Sequence, residues 1–185
     1  MEPEFRTFPK ITRLCNECMV ITEKIDGTNA QVTITEDGRV LAGSRNRWIT
    51  PEADNFSFAA WVRDHATELL TLGPGTHYGE WYGVGIQRGY GLYDRRFSLF
   101  NTMRWEEGRP ACVGLVPVLY KGPVDTSKVQ EWLDTLIRGG SFAVPGFMKP
   151  EGLVIYHAST RATYKKLIEN DNQPKSAVSQ EAAVV

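Results

Sequence analysis

Thr22-Glu23-Lys24-Ile25-Asp26-Gly27-Thr28-Asn29 lies between Met19-Val20-Ile21 and Gln31-Val32-Thr33-Ile34-Thr35, two runs dense in β-branched residues that read as strands. Lys24 then stands at a strand end, directed from a rigid sheet into a cleft. A free lysine titrates near ~10.4, so a lysine that acts as a nucleophile at neutral pH must be partly desolvated or set beside other cations. Gly27 lets the backbone turn where a side chain would block a ligand. The same eight residues also suit a surface hairpin with a solvated lysine. The rest of the chain decides between the two.

Asp37-Gly38 is a two-residue hairpin signal, and the strand it opens ends at Gly43-Ser44-Arg45. His77-Tyr78-Gly79-Glu80-Trp81-Tyr82-Gly83 sets one carboxylate between aromatics and glycines. Arg96-Phe97-Ser98-Leu99-Phe100-Asn101 is an apolar strand with alternating faces. Pro150-Glu151-Gly152-Leu153-Val154-Ile155-Tyr156 puts a second carboxylate just ahead of an apolar strand, and Thr163-Tyr164-Lys165-Lys166-Leu167 adds two adjacent cations.

Two helices are expected between these strands. The first covers 56–72, with Phe58, Val62, Ala66, Leu69 and Leu70 on one face and Gly73-Pro74-Gly75 ending it. The second covers 127–138, with Val129, Trp132, Leu133, Leu136 and Ile137 inward and Gly139-Gly140 closing it. Further strands are expected over 40–42, 78–82, 97–103, 113–120, 153–157 and 164–168. Hairpins interspersed with helices favour an α+β fold with antiparallel sheets over a doubly wound parallel one.

At 185 residues and 42% hydrophobic content the chain can bury a substantial core and reads as one domain over 1–170, followed by a polar tail of low order from Asp171 to Val185. Its 21 basic and 22 acidic residues leave a net charge of −1, so any nucleic-acid surface must concentrate positive charge locally. Candidate cations are Arg45 with Arg47, then Arg88, Arg95 and Arg96, then Arg161 with Lys165 and Lys166. Such a balance implies weak, salt-sensitive binding of nucleic acid. Cys15, Cys18 and Cys112 suggest a reducing compartment. Cys15-Asn16-Glu17-Cys18 has metal-ligand spacing, but no second pair follows, and free thiols are the expectation. No stretch is long and apolar enough for a membrane span and the charged start is unlike a signal peptide, which makes a cytoplasmic location the expectation.

The order of motifs resembles the covalent nucleotidyltransferases, the superfamily of ATP-dependent DNA ligases, RNA ligases and capping guanylyltransferases. Lys24-Ile25-Asp26-Gly27 matches the motif whose lysine attacks a nucleotide α-phosphate and holds the nucleotide as a phosphoramidate. Glu23-Lys24-Ile25-Asp26-Gly27-Thr28-Asn29 is similar to the RNA-repair and RNA-editing ligases, whereas DNA ligases usually carry arginine where this chain has Asn29. The resemblance spans roughly residues 20 to 168. It implies two mainly antiparallel sheets flanking a nucleotide cleft, ATP as the nucleotide, Mg²⁺ or Mn²⁺ as the metal, and RNA ends, including those of a nicked duplex, as substrates.

Expulsion of pyrophosphate builds negative charge that cations and a metal must offset. The resemblance implies phosphate contacts for Arg45, Lys165 and Lys166, a ribose hydroxyl for Glu80, the catalytic metal for Glu151, and the adenine amine for Glu23. It implies an adenine-stacking role for Phe100, with Phe97 as the alternative. Asn29 corresponds to the residue that contacts the terminal nucleotide of the accepting strand. The bland alternatives are core packing for the aromatics, a turn for Asn29 and solvated charges for the rest. Two departures stand out. Fewer than twenty residues follow Lys166, which leaves no room for the clamping domain of most relatives and suggests that a protein partner or a dimer replaces it. The two lysines are also adjacent, so strand alternation sends them to opposite faces and only one reaches the phosphate. A DNA ligase, a GTP-using capping enzyme and a non-catalytic nucleotide- or RNA-end-binding module are the competing readings.

Overall fold

The computed structural model describes residues 18–171 together with Thr7. Cys15, and the expected tail beyond Asp171, lie outside the described residues. Among the described residues, ten strands and three α-helices follow one another as β1 (Cys18–Lys24), β2 (Thr28–Ile34), β3 (Val40–Ser44), β4 (Trp48–Ile49), α1 (Phe58–Asp64), α2 (Ala66–Leu69), β5 (Gly75–Gly83), β6 (Arg95–Leu99), β7 (Val113–Leu115), β8 (Val118–Pro123), α3 (Thr126–Gly139), β9 (Gly152–His157) and β10 (Ala162–Leu167). They form a four-stranded sheet in the order β10-β9-β1-β8 and a six-stranded sheet in the order β4-β3-β2-β5-β6-β7. Every pairing is antiparallel except β6 with β7, which is parallel.

Each sheet buries one face against helices and leaves the other toward the cleft. Met19, Ile21, Leu153 and Ile155 of the smaller sheet pack against Leu133 and Leu136 of α3, and Val32, Trp81 and Phe97 of the larger one against Phe58 and Val62 of α1. Full burial of each such side chain contributes roughly 1.5–3 kcal/mol. A third cluster of Ile25, Tyr82, Tyr90 and Val116 fills the seam between the sheets. The chain passes from the smaller to the larger sheet through Ile25, Asp26 and Gly27, so the Lys24 motif is the crossing point.

Several boundaries depart from the sequence expectation for identifiable reasons. The strand expected over 113–120 is two strands in different sheets. Pro117 has no N–H to donate, and the Val116-Pro117 step carries the chain across, with the Val116 N–H on the Leu99 carbonyl and the Pro117 carbonyl taking the Glu23 N–H at 3.0 Å. The helix expected over 56–72 is broken at His65, whose φ of −107° and ψ of 13° leave the helical region. Phe56 and Ser57 have positive φ and precede it, and Leu70 is exposed in a terminal 3₁₀ turn. The helix expected over 127–138 is α3, capped by Asp125 accepting from the Ser127 N–H, but Ile137 faces solvent. The strand expected over 97–103 ends at Leu99, so Phe100 to Met103 form a loop at the cleft.

Candidate active site

Lys24 ends β1 and pairs in register with Gly152 at the start of β9. Gly152 has φ of +155°, and a β-carbon there would run into the Lys166 carbonyl of β10, so glycine allows β10 to lie close. That register brings Glu151 under the Lys24 side chain, where its Oε2 lies 2.6 Å from the amine nitrogen. The lysine side chain is 22% exposed and the glutamate 4%, so the pair sits at the cleft floor rather than on an open surface.

Gly27 crosses to the other sheet against β5. Here the sequence reading needs correcting, because the close approach is to the protein itself: a β-carbon on Gly27 would collide with the Trp81 carbonyl and crowd Glu80 and Tyr82. The Gly27 N–H donates to Glu80 Oε1 at 3.0 Å, and Asn29 Nδ2 donates to Glu80 Oε2 at 3.5 Å. Glu80 is therefore tied to the motif that carries the lysine. Burial pushes its carboxyl up to about 7, with Lys24 and the Gly27 N–H pulling it down and the neighbouring Glu151 and Asp26 charges raising it further.

The two sheets enclose a cleft of about 970 Å³. Lys24, Asn29, Arg45, Glu80, Phe100 and Lys165 all line it, joined by Thr22, Tyr78, Met103, Arg104, Val154 and Tyr156. Phe100 lines the cleft and is 42% exposed, whereas Phe97 is 1% exposed and packs on Phe58 and Trp61. Of the two aromatics, Phe100 is the one whose ring is accessible from the cleft. Lys165 and Lys166 do turn to opposite faces. Lys165 pairs in register with Val154, on the cleft side, while Lys166 forms an ion pair with Asp171, whose carboxylate also takes the Leu167 N–H at 2.8 Å.

Glu23 departs from its expected role. Its backbone lines the cleft, but its side chain is 1% exposed on the far side of β1. The carboxylate accepts from the Ser141 hydroxyl at 2.6 Å and from the Phe142 and Ala143 N–H groups at 2.7 and 2.8 Å, which leaves it committed to that loop and not to a base in the cleft. Burial raises its pKa above the ordinary value while those three bonds oppose the shift.

Other expected surface cations have partners within the chain, although Arg96 itself stays exposed. Arg88 pairs with Asp26, Arg95 donates to the Val84 and Phe56 carbonyls, and Arg96 pairs with Asp94. Among the described residues, the lysines and arginines that line the cleft besides Lys24 are Arg45, Lys165 and Arg104, the last of which the sequence reading does not single out. Nothing in the spacing of Met103-Arg104-Trp105 marks it. Val154 and Tyr156 share the lysine's face by strand alternation, a signal that was available once β9 was paired with β1.

Among the described residues no group of three His, Cys, Asp or Glu side chains is arranged to hold a metal ion. One buried carboxylate beside a nucleotide-sized cleft nonetheless fits a Mg²⁺-type ion, which keeps its waters and takes most of its protein-side ligation from one or two carboxylates plus substrate phosphates. Also among the described residues, no helix is long and apolar enough to cross a membrane.

Paired sheets around a lysine-bearing cleft define the nucleotidyltransferase fold of ligase adenylation domains. A family model described as RNA ligase matches residues 17–171, and the chain belongs to that family. Solved structures with this fold include Naegleria gruberi RNA ligase in a glutamate-to-alanine mutant with ATP and Mn, at 19% identity and a TM-score of 0.63 over 97% of this chain and 59% of that one. A lysine-to-methionine mutant of the same ligase with AMP and Mn matches at 20% identity and a TM-score of 0.60, covering 83% of this chain and 50% of that one. An apo lysine-to-alanine mutant matches at 20% identity and a TM-score of 0.61, over 90% and 57%. At these identities the likeness is one of fold, and this chain spans half to three fifths of the length of those structures. No curated protein matches the sequence.

Proposed function

We propose that this chain is an ATP-dependent RNA ligase that joins a 5′-phosphate end to a 3′-hydroxyl end through AMP carried covalently on Lys24. The observation that carries the reading is the Lys24 amine at the end of β1, on the floor of a cleft shared with Glu80, Phe100, Lys165 and Arg45. Family membership and the ATP- and AMP-bound Naegleria structures support the choice of nucleotide and of RNA.

In the first step the Lys24 amine, its protons released to solvent, attacks the α-phosphorus: a P–N bond forms, the bond from that phosphorus to its bridging oxygen breaks, and pyrophosphate departs. Lys165 and Arg45 offset the phosphate charge, while Glu80 accepts from a ribose hydroxyl and Phe100 stacks on the base. AMP then passes to the 5′-phosphate of a strand, and the 3′-hydroxyl of the other strand, beside Asn29, displaces it. Glu151 is the residue to hold Mg²⁺ or Mn²⁺, which when bound would neutralise charge growing on the transferred phosphoryl group.

Incubation with α-labelled ATP or GTP and Mg²⁺ or Mn²⁺, followed by denaturing electrophoresis, tests the reading. The expected result is a covalent label from ATP that disappears in Lys24→Ala while the circular dichroism spectrum is unchanged. Label retained by Lys24→Ala overturns the nucleophile, and label from GTP alone moves the chain to the capping class. Absence of label under all four conditions would reduce it to a binding module.

A further inference from the structure

Arg88 lines no part of the cleft, yet it joins three segments that frame it. Its Nε donates to Asp26 Oδ2 at 3.0 Å, its Nη1 donates to the Lys149 carbonyl at 3.1 Å, and its Nη2 stands 3.6 Å from Glu169 Oε2. Asp26 follows Lys24 by two residues, Lys149 precedes Glu151 by two, and Glu169 lies just past the strand that carries Lys165. Arg88 itself comes from the loop that leaves β5 in the opposite sheet. It therefore ties the lysine motif and both flanks of the β9–β10 pair to one point.

The surroundings make this tie stiff. The Arg88 side chain is 26% exposed and that of Asp26 10%. Tyr90, two residues along the same loop, accepts the Asp26 N–H on its hydroxyl at 2.7 Å, and its buried ring packs 4.6 Å from that of Phe147. A planar guanidinium serves three directions at fixed angles, which an ammonium cannot do.

We propose that Arg88 is a positioning residue: by holding Asp26 and the Lys149 carbonyl together it sets the place of the Lys24 amine relative to Glu151 and hence the line of attack on the α-phosphorus. The inference deepens the proposed ligase reading and rests on it. A misplacement of about 1 Å at a reacting group costs on the order of 10²-fold in rate, so a residue that touches no substrate acts strongly through geometry.

Single-turnover formation of labelled protein from α-labelled ATP is measured for the full chain and for Arg88→Lys, Arg88→Met, Asp26→Asn and the double variant Arg88→Lys with Asp26→Asn. Arg88→Lys, which keeps the charge and loses the fork, lowers the rate constant roughly 10–100-fold while the ATP half-saturation stays within about threefold. The double variant loses no more than its worse single, because both changes break one linkage. An unchanged rate in Arg88→Lys, additive losses, or losses that simply follow the fall in melting temperature across the set overturn the proposal. A second readout needs no turnover: reductive modification of Lys24 by pyridoxal phosphate at a single pH runs at least about threefold faster in Arg88→Lys, where the amine is less firmly held by its carboxylate. A wild-type protein that takes no label from ATP refutes the ligase reading, and the modification ratio then still decides the role of Arg88, equal rates refuting it.

Discussion

The smaller sheet brings Lys24 and Lys165 to the cleft, with the buried Glu151 on the Lys24 amine, whereas the larger one brings Asn29, Arg45, Glu80 and Phe100. In the first set the Lys24 amine and the Glu151 carboxylate lie in direct contact at 2.6 Å, where the end of β1 pairs with the start of β9. In the second set an aromatic ring, an amide, a guanidinium and a buried carboxylate are spread over several segments, with Glu80 reaching across to hold the Gly27 N–H. On the proposed reading the smaller sheet carries the nucleophile, its carboxylate and one phosphate-facing lysine, and the larger one carries the nucleotide and strand contacts together with one phosphate-facing arginine. Their separate cores, around α3 and around α1, keep each face rigid on its own.

Substitutions that respect this division break it in order of size. Removal of the smaller sheet's carboxylate, Glu151→Ala, should lower labelling by roughly 10–100-fold and raise the metal concentration for half-activity. Normal metal dependence in that variant would take Glu151 out of the metal's reach. On the larger sheet, neighbouring aromatics should behave oppositely. Phe97→Ala should cost about 3–5 kcal/mol in urea unfolding, since a fully buried ring leaves a cavity. Phe100→Ala should stay within about 0.5 kcal/mol of wild type and instead raise the ATP half-saturation several-fold. Equal stability losses would mean that Phe100 is a core residue.

Glu80 gives the comparison a pH dependence. Its carboxyl is raised from 4.5 to about 7, so the folded state favours the protonated form. The associated stability is fully present below about 4.5 and is lost as pH rises through about 7. Glu80→Gln remains neutral, so its stability relative to wild type should grow between pH 5 and pH 8, by up to about 3 kcal/mol. Urea midpoints at the two pH values check this, and a constant difference would contradict it. The smallest effect separates the adjacent lysines. Lys165→Ala should slow labelling about tenfold through the lost phosphate contact, and Lys166→Ala less than about twofold, since an exposed pair contributes little. Reversal of that order would place the wrong lysine at the phosphate.

Much of the site was legible because the chemistry confines its residue types to short motifs at strand ends. Lys24 stands out within Lys24-Ile25-Asp26-Gly27, and Glu80 and Glu151 as carboxylates beside glycine, and the strands around them lie within a few residues of the expected positions. Lys165 against Lys166 was legible as a rule of alternation but not as an outcome, because which face meets the cleft depends on pairing with β9. Phe100 against Phe97 depended in the same way on where β6 ends. Glu23 was misread because its neighbourhood to Lys24 along the chain is the opposite of neighbourhood in space: consecutive strand residues point to opposite faces. Arg88 looked like a free surface cation because its three partners lie in segments scattered from residue 26 to residue 169.

By itself the sequence determined the α+β class, the alternation of strands and two helical segments, and the motif that holds Lys24, since these depend on local periodicity and residue chemistry. Only the tertiary structure decided that Pro117 switches the chain between sheets, that Glu151 lies beneath Lys24, that Glu80 grips the motif's backbone and that Arg88 joins its flanks. Those facts depend on strand register and on contacts between residues far apart in the chain, and no local pattern encodes them.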